Sequence, residues 1–232
     1  PGGHRFFAQR VSSWDSDAVW VSCDDAPTLE RFERLFDRMG LPRRMAAIVP
    51  HSSSLQLYSA FYVTRSACSS PNWHVDYSTA VGTAGLTLIT PLADYDEVDS
   101  FQLSYVARPR EYHDGERARR ADDGWGTDPW DDGGLSTPAS GTDEGVRRYM
   151  YQKGRAIVFG SRFVHSTEPG AGANGQMHAY LCFTFGTDQR ATWPAIAQTL
   201  DTQSRVLYKP GEPGVLQLSR LGEAIEEALR ST

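Results

Sequence analysis

Three residues in this chain could hold a metal together: His74 and Asp76 in the string NWHVDY, and His165 far along in FGSRFVHSTEPG. On an extended segment alternate side chains point the same way, so a His-x-Asp pair presents both donors on one face. A second histidine from a distant strand completes a set of two imidazoles and one carboxylate. Such a set fills one side of the coordination sphere and leaves positions open opposite. That pattern suits non-haem Fe(II), which must also take up a cosubstrate and O2. A lone H-x-D occurs by chance in many chains, so the weight falls on what surrounds each half.

The surroundings are strands. After Asp76 and a short polar stretch comes TAGLTLITPL, Thr83 to Leu92, an apolar run ending near a proline. Before His165 the chain reads YMYQKGRAIVFGSRFVH: a strand-like run, a turn at Lys153-Gly154, and a second apolar strand from Arg155 to Phe159. After it MHAYLCFTFG alternates, with Ala179, Leu181, Phe183 and Phe185 apolar and His178, Tyr180, Cys182 and Thr184 on the other side. Leu55 to Thr64 reads as a strand with Gln56, Tyr58 and Tyr62 sharing a face, and Ala18 to Cys23 as a shorter one. Three helices are expected. The first is capped by Asp25, with Pro27 in its first turn and Leu29, Phe32, Leu35 and Phe36 on one face up to Gly40. The others are Trp193 to Leu200 and Gly214 to Leu229, the last with Leu216, Leu218, Leu221, Ile225 and Leu229 in a core-packing stripe.

From Leu55 to Phe185 the sequence resembles the Fe(II)/2-oxoglutarate-dependent oxygenases, in particular the phytanoyl-CoA-hydroxylase-like and prolyl-hydroxylase-like branches. The shared features are the HVD pair, the Gly-x-Ala-x-x-Phe strand leading to the distal histidine, and the H-S-x-x-P-G turn after it. The resemblance implies a mainly β domain with flanking helices, a double-stranded β-helix of jelly-roll or cupin-like form. It implies iron on His74, Asp76 and His165, with 2-oxoglutarate and O2 in the remaining positions. Halogenases similar to this family carry a small residue where Asp76 stands, so the carboxylate points to hydroxylation or a related oxidation such as desaturation or cyclisation.

One departure from the family pattern concerns the cosubstrate. Its far carboxylate is usually held by an arginine on the strand after the distal histidine, in a bidentate pair. Here His178 falls at that place. His178 is therefore the first candidate anchor, and Arg65, closing the strand before the H-x-D segment, the second. Arg162 ranks lower, since alternation turns it away from His165. Tyr58 is a candidate hydroxyl donor to the same carboxylate and Thr87 a candidate wall residue. A cupin-like metalloenzyme that dispenses with 2-oxoglutarate, and a non-catalytic barrel keeping the triad as a structural metal site, stand as alternatives.

Composition bounds the rest. The chain has 232 residues, 40% of them hydrophobic, enough for one domain with a sizeable core over 1–232. A net charge of −6 without a basic stripe argues against nucleic acid as a partner and leaves a small molecule or a peptide as substrate. Three cysteines without C-x-x-C spacing argue against a disulfide framework or structural zinc and fit a reducing, cytoplasmic setting. The chain starts PGGHRFF and reads as trimmed. No apolar run is long enough for a membrane span. Between Arg108 and Arg147 lie about forty residues rich in Asp, Gly, Arg, Pro and Ser with Trp125 and Trp130 among them, read as an insert that closes over substrate as a lid. P-loop, dinucleotide-binding and G-x-S-x-G motifs are all missing from the sequence.

Overall fold

The computed structural model describes residues 3–11, 16–95, 99–107, 145–212 and 214–231. Most of the expected insert, with Trp125 and Trp130, lies outside the described residues. In chain order the elements are β1 (Phe6–Arg10), β2 (Val19–Cys23), α1 (Ala26–Arg38), α2 (Leu41–Met45), β3 (Gln56–Arg65), β4 (Ala67–Cys68), β5 (Gly85–Pro91), β6 (Leu103–Val106) and β7 (Val146–Tyr149). Then follow β8 (Ile157–Phe159), β9 (His165–Thr167), β10 (Gly170–Ala171), β11 (His178–Gly186), α3 (Trp193–Gln203), β12 (Val206–Tyr208), β13 (Leu216–Leu218) and α4 (Arg220–Arg230). The architecture is mainly β with flanking helices. A six-stranded sheet runs β1-β2-β3-β11-β5-β8, and a three-stranded sheet runs β7-β6-β9.

Strand alternation assigns the two faces of the larger sheet. Leu181, Phe183 and Phe185 of β11 pack with Leu86 and Leu88 of β5 against Leu29, Phe32 and Phe36 of α1. Phe36 meets Phe185 at 5.1 Å between ring centres and Phe183 edge-on at 6.2 Å. The opposite face carries Phe61, Val63 and Arg65 of β3, Tyr180 and Cys182 of β11, and Thr87 and Ile89 of β5. These seven residues line one cavity with Leu103 of β6 and His165 and Thr167 of β9. The cavity thus lies between the two sheets, on the side away from α1. Helix α1 begins as expected, with the Asp25 side chain accepting from the Thr28 amide at 2.9 Å.

Two expectations about local structure fail for identifiable reasons. Alternation predicts Tyr58 and Tyr62 on one face, but β3 carries a bulge: Thr184 pairs with Ser59 while the next residue, Phe185, pairs with Leu57. The extra residue is Tyr58, which turns into a separate cluster with Tyr77, Ile196 and Leu200, whereas Tyr62 packs against the α1 side. The predicted helix over 214–229 is a strand followed by a shorter helix. Leu216 and Leu218 alternate and pair with Tyr208 and Val206, and Ser219 then caps α4 by accepting from the Gly222 amide. The three cysteines are buried and unbridged.

Phe183 is fully buried at the centre of the helix–sheet contact. Phe183→Ala should cost about 3–5 kcal/mol of unfolding free energy by denaturant titration. A loss below about 1 kcal/mol would place the core elsewhere.

Candidate metal centre

The H-x-D segment is not a strand. His74 makes a single antiparallel bridge to His165, each amide donating to the other's carbonyl at 3.0 Å, and the chain bends directly after Val75. This bridge sets the two imidazoles side by side, with ring centres 4.4 Å apart. One ligand atom from each of His74, Asp76 and His165 lies within 4.8 Å of the other two. The Asp76 Oδ1 is 3.6 Å from His74 Nε2 and 3.7 Å from His165 Nε2.

The surrounding hydrogen bonds determine which lone pairs face inward. A carbonyl can only accept, so His74 Nδ1, 2.8 Å from the Asn72 carbonyl, carries the proton, as does His165 Nδ1, 2.9 Å from the Phe163 carbonyl. In that tautomer the ring lone pair that could bind a metal is on Nε2. The Thr87 hydroxyl donates to Asp76 Oδ2 at 2.7 Å, which leaves Oδ1 for the histidine side. The Thr199 hydroxyl on α3 donates to the Asp76 backbone carbonyl and ties the bend to that helix. Burial and the neighbouring His74 push His165 down to about 4, against Asp76 and the Phe163 carbonyl, which pull it up. At neutral pH His165 is therefore uncharged, the form that can ligate. Two imidazole nitrogens and a carboxylate oxygen, none of them soft, suit a divalent first-row metal.

The triad lies at the wall of a cavity of about 80 Å³. Arg65 lines the same cavity and is 6% exposed. Tyr151 and Tyr180 line it too, their rings 4.8 Å apart, and the Arg65 charge acts on both phenols. Burial raises both phenols well above the ordinary tyrosine range, so each is a neutral hydroxyl able to donate.

Of the residues predicted from sequence, the structure brings His74, Asp76, His165, Thr87 and Arg65 to this cavity and leaves His178 and Tyr58 off its wall. His178 is fully buried, with Nε2 3.1 Å from Asp99 Oδ2 and its ring stacked on Tyr95 at 3.9 Å. It pairs in register with Arg65, but Phe101 packs against its ring and presents itself to the cavity instead. Phe101 reaches that place because Ser100 and Phe101 take left-handed backbone angles, φ 62° and 58°, which nothing in their residue types announces. The Tyr58 hydroxyl donates to the Thr187 carbonyl at 2.7 Å. Arg162 is exposed in the turn before β9. Thr199, Gln203, Trp20, Tyr151 and Tyr180 also line the cavity. Of these only Tyr180 carried a usable signal, its place on the polar side of the β11 alternation.

No protein-family model and no curated protein matches the sequence. Solved structures do. HygX from Streptomyces hygroscopicus, with nickel, 2-oxoglutarate and hygromycin B bound, superposes with a TM-score of 0.50 at 14% identity, over 82% of this chain and 76% of that one. The epimerase SnoN, in complex with Fe3+, alpha-ketoglutarate and nogalamycin RO, gives a TM-score of 0.51 at 16% identity, over 79% and 68%. The chain has the fold of iron- and 2-oxoglutarate-binding enzymes. At these identities the likeness is one of fold, and the chemistry has to come from the cavity itself.

Two outcomes follow from the hydrogen bonds around the triad. Thr87→Val removes the donor that orients Asp76 and should weaken Fe(II) binding about 10- to 100-fold, while Thr87→Ser stays near wild type in an anaerobic titration. Equal affinity in both variants would show that the hydroxyl does not orient the carboxylate. The second concerns acid stability of the metal-free protein. His165 titrates near 6.5 when unfolded and near 4 when folded, so between those values the unfolded chain binds more protons. Its contribution is complete above about pH 6.5 and is lost as pH falls towards 4, with no further loss below. His165→Asn should flatten that part of the stability curve; an unchanged slope would mean that His165 is not held neutral.

Proposed function

We propose that this chain is a single-domain Fe(II)- and 2-oxoglutarate-dependent oxygenase, built as a double-stranded β-helix and oxidising a small molecule. The observation that carries the reading is the convergence of three ligand atoms, on side chains each oriented by a named hydrogen bond, at a cavity that also holds a buried arginine. His74, Asp76 and His165 would hold the metal. When bound, Fe(II) with 2-oxoglutarate and O2 supplies a two-electron oxidation coupled to decarboxylation of the cosubstrate to succinate. The chain's own part is to orient and to exclude water.

Arg65 is the anchor we assign to the far carboxylate of 2-oxoglutarate, with the Tyr151 and Tyr180 hydroxyls beside it. A carboxylate buried here without a cation would be costly, and His178, already paired with Asp99, is less available for it. Thr87 keeps Asp76 in its ligating orientation, and Thr199 keeps the bend after His74 against α3. Trp20, Phe61, Val63, Ile89 and Leu103 give the cavity apolar walls that shield the reaction from solvent. Halogenases similar to this family carry a small residue where Asp76 stands, so with the carboxylate present we assign hydroxylation or a related oxidation and not halogenation. HygX and SnoN hold hygromycin B and nogalamycin RO, which favours a small molecule over a peptide here. Among the described residues no helix is long and apolar enough to cross a membrane.

The test is succinate release from 2-oxoglutarate by the iron-loaded protein in air. Alanine at His74, Asp76 or His165 should abolish both release and Fe(II) binding. Arg65→Leu should raise the KM for 2-oxoglutarate by about tenfold or more while Fe(II) affinity stays within about twofold. Iron binding with no succinate under any condition would favour a cupin-like enzyme of the same shape that does not use 2-oxoglutarate.

A further inference from the structure

We infer that the corner of the cavity formed by Gln203 and Trp20 is the seat of the substrate's hydrogen-bond-donating group, a hydroxyl or an amine on an otherwise apolar body. The inference rests on the cavity being the active site proposed above and adds what that site selects. Gln203 is 7% exposed and lines the cavity, yet its side-chain oxygen is buried with no hydrogen-bond partner among the described residues. An unpaired buried amide oxygen costs about 1–3 kcal/mol, so a fold that keeps one at the wall of a cavity keeps it for a ligand or a water.

The placement singles out a ligand of stated chemistry. Gln203 follows Thr199 by one helical turn on α3, so the residue that braces Asp76 and the residue with the free acceptor share a face. Gln9 backs this corner from outside the cavity lining. It pairs in register with Trp20 and donates to the carbonyl of Thr202 at 3.4 Å. The cavity's apolar lining includes Trp20, Phe61 and Val63. 2-Oxoglutarate offers carboxylates and a ketone, which only accept, so it cannot satisfy the Gln203 oxygen and belongs towards Arg65. A flat apolar group bearing an O–H or N–H can satisfy it.

The probes are benzyl alcohol, benzylamine and toluene, titrated into the metal-free chain by protein-observed NMR, with the Trp20 indole signal as reporter. Benzyl alcohol or benzylamine should bind about fivefold or more tightly than toluene in the wild type. The member of the pair that binds better tells whether the natural group is neutral or cationic. Gln203→Leu should erase the preference while leaving toluene affinity and thermal stability at or above wild type, because an unpaired amide is replaced by a side chain that needs no partner. Gln203→Glu should keep an acceptor and shift the preference towards benzylamine. Equal affinities in the wild type, a preference that survives Gln203→Leu, or no response at Trp20 would each overturn the inference and leave Gln203 to a buried water. Because no metal is needed, these results stand apart from failure of the iron or succinate assays.

Discussion

The pair of backbone hydrogen bonds between His74 and His165 is the contact on which the site depends. Two residues ninety-one positions apart in the chain exchange amide and carbonyl at 3.0 Å in each direction. That exchange forces their side chains to the same side and to neighbouring places. Everything else at the centre adjusts the donors that this bridge brings together. The Asn72 and Phe163 carbonyls, each two residues before its histidine, hold both rings in one tautomer. Thr87 and Thr199 hold Asp76 by its side chain and by its backbone.

The rest of the fold supports that bridge and walls the cavity beside it. The larger sheet gives one face to α1, where Phe32, Phe36, Phe183 and Phe185 interlock, and the other to the cavity. Because the faces alternate residue by residue, Phe183 belongs to the core and Cys182 to the site, although they are neighbours in sequence. The bulge at Tyr58 serves the same end. It diverts a large ring into the cluster beneath α3, where Ile196 and Leu200 support the helix that carries Thr199 and Gln203.

Residue type and alternation made part of this legible from sequence. His74, Asp76 and His165 are distinctive side chains in strand surroundings, and the structure gathers them. The division of β11 into an apolar and a polar face follows from a two-residue period that a regular strand obeys. The misplaced residues are those whose position depends on backbone irregularity. Tyr58 is displaced by a bulge, and His178 is screened by Phe101 through left-handed turns at two residues that are not glycine. Leu216 and Leu218 fit a helical stripe and a strand equally well, and pairing with β12 decided between them. Thr199 and Gln203 fall on the buried face of an amphipathic helix, where a site residue and a core residue look alike in sequence. Arg65 was visible as an alternative because it closes the strand that precedes the H-x-D segment.

In the proposed function one cavity would hold a metal on His74, Asp76 and His165 and 2-oxoglutarate on that metal. Anaerobic absorption spectroscopy of the chain separates this from a site that binds iron alone. Adding Fe(II) and then 2-oxoglutarate should produce a visible metal-to-ligand charge-transfer band that saturates at one equivalent of iron and is lost in the His165→Ala protein. Iron binding without any such band, or a band of full intensity in His165→Ala, would contradict it.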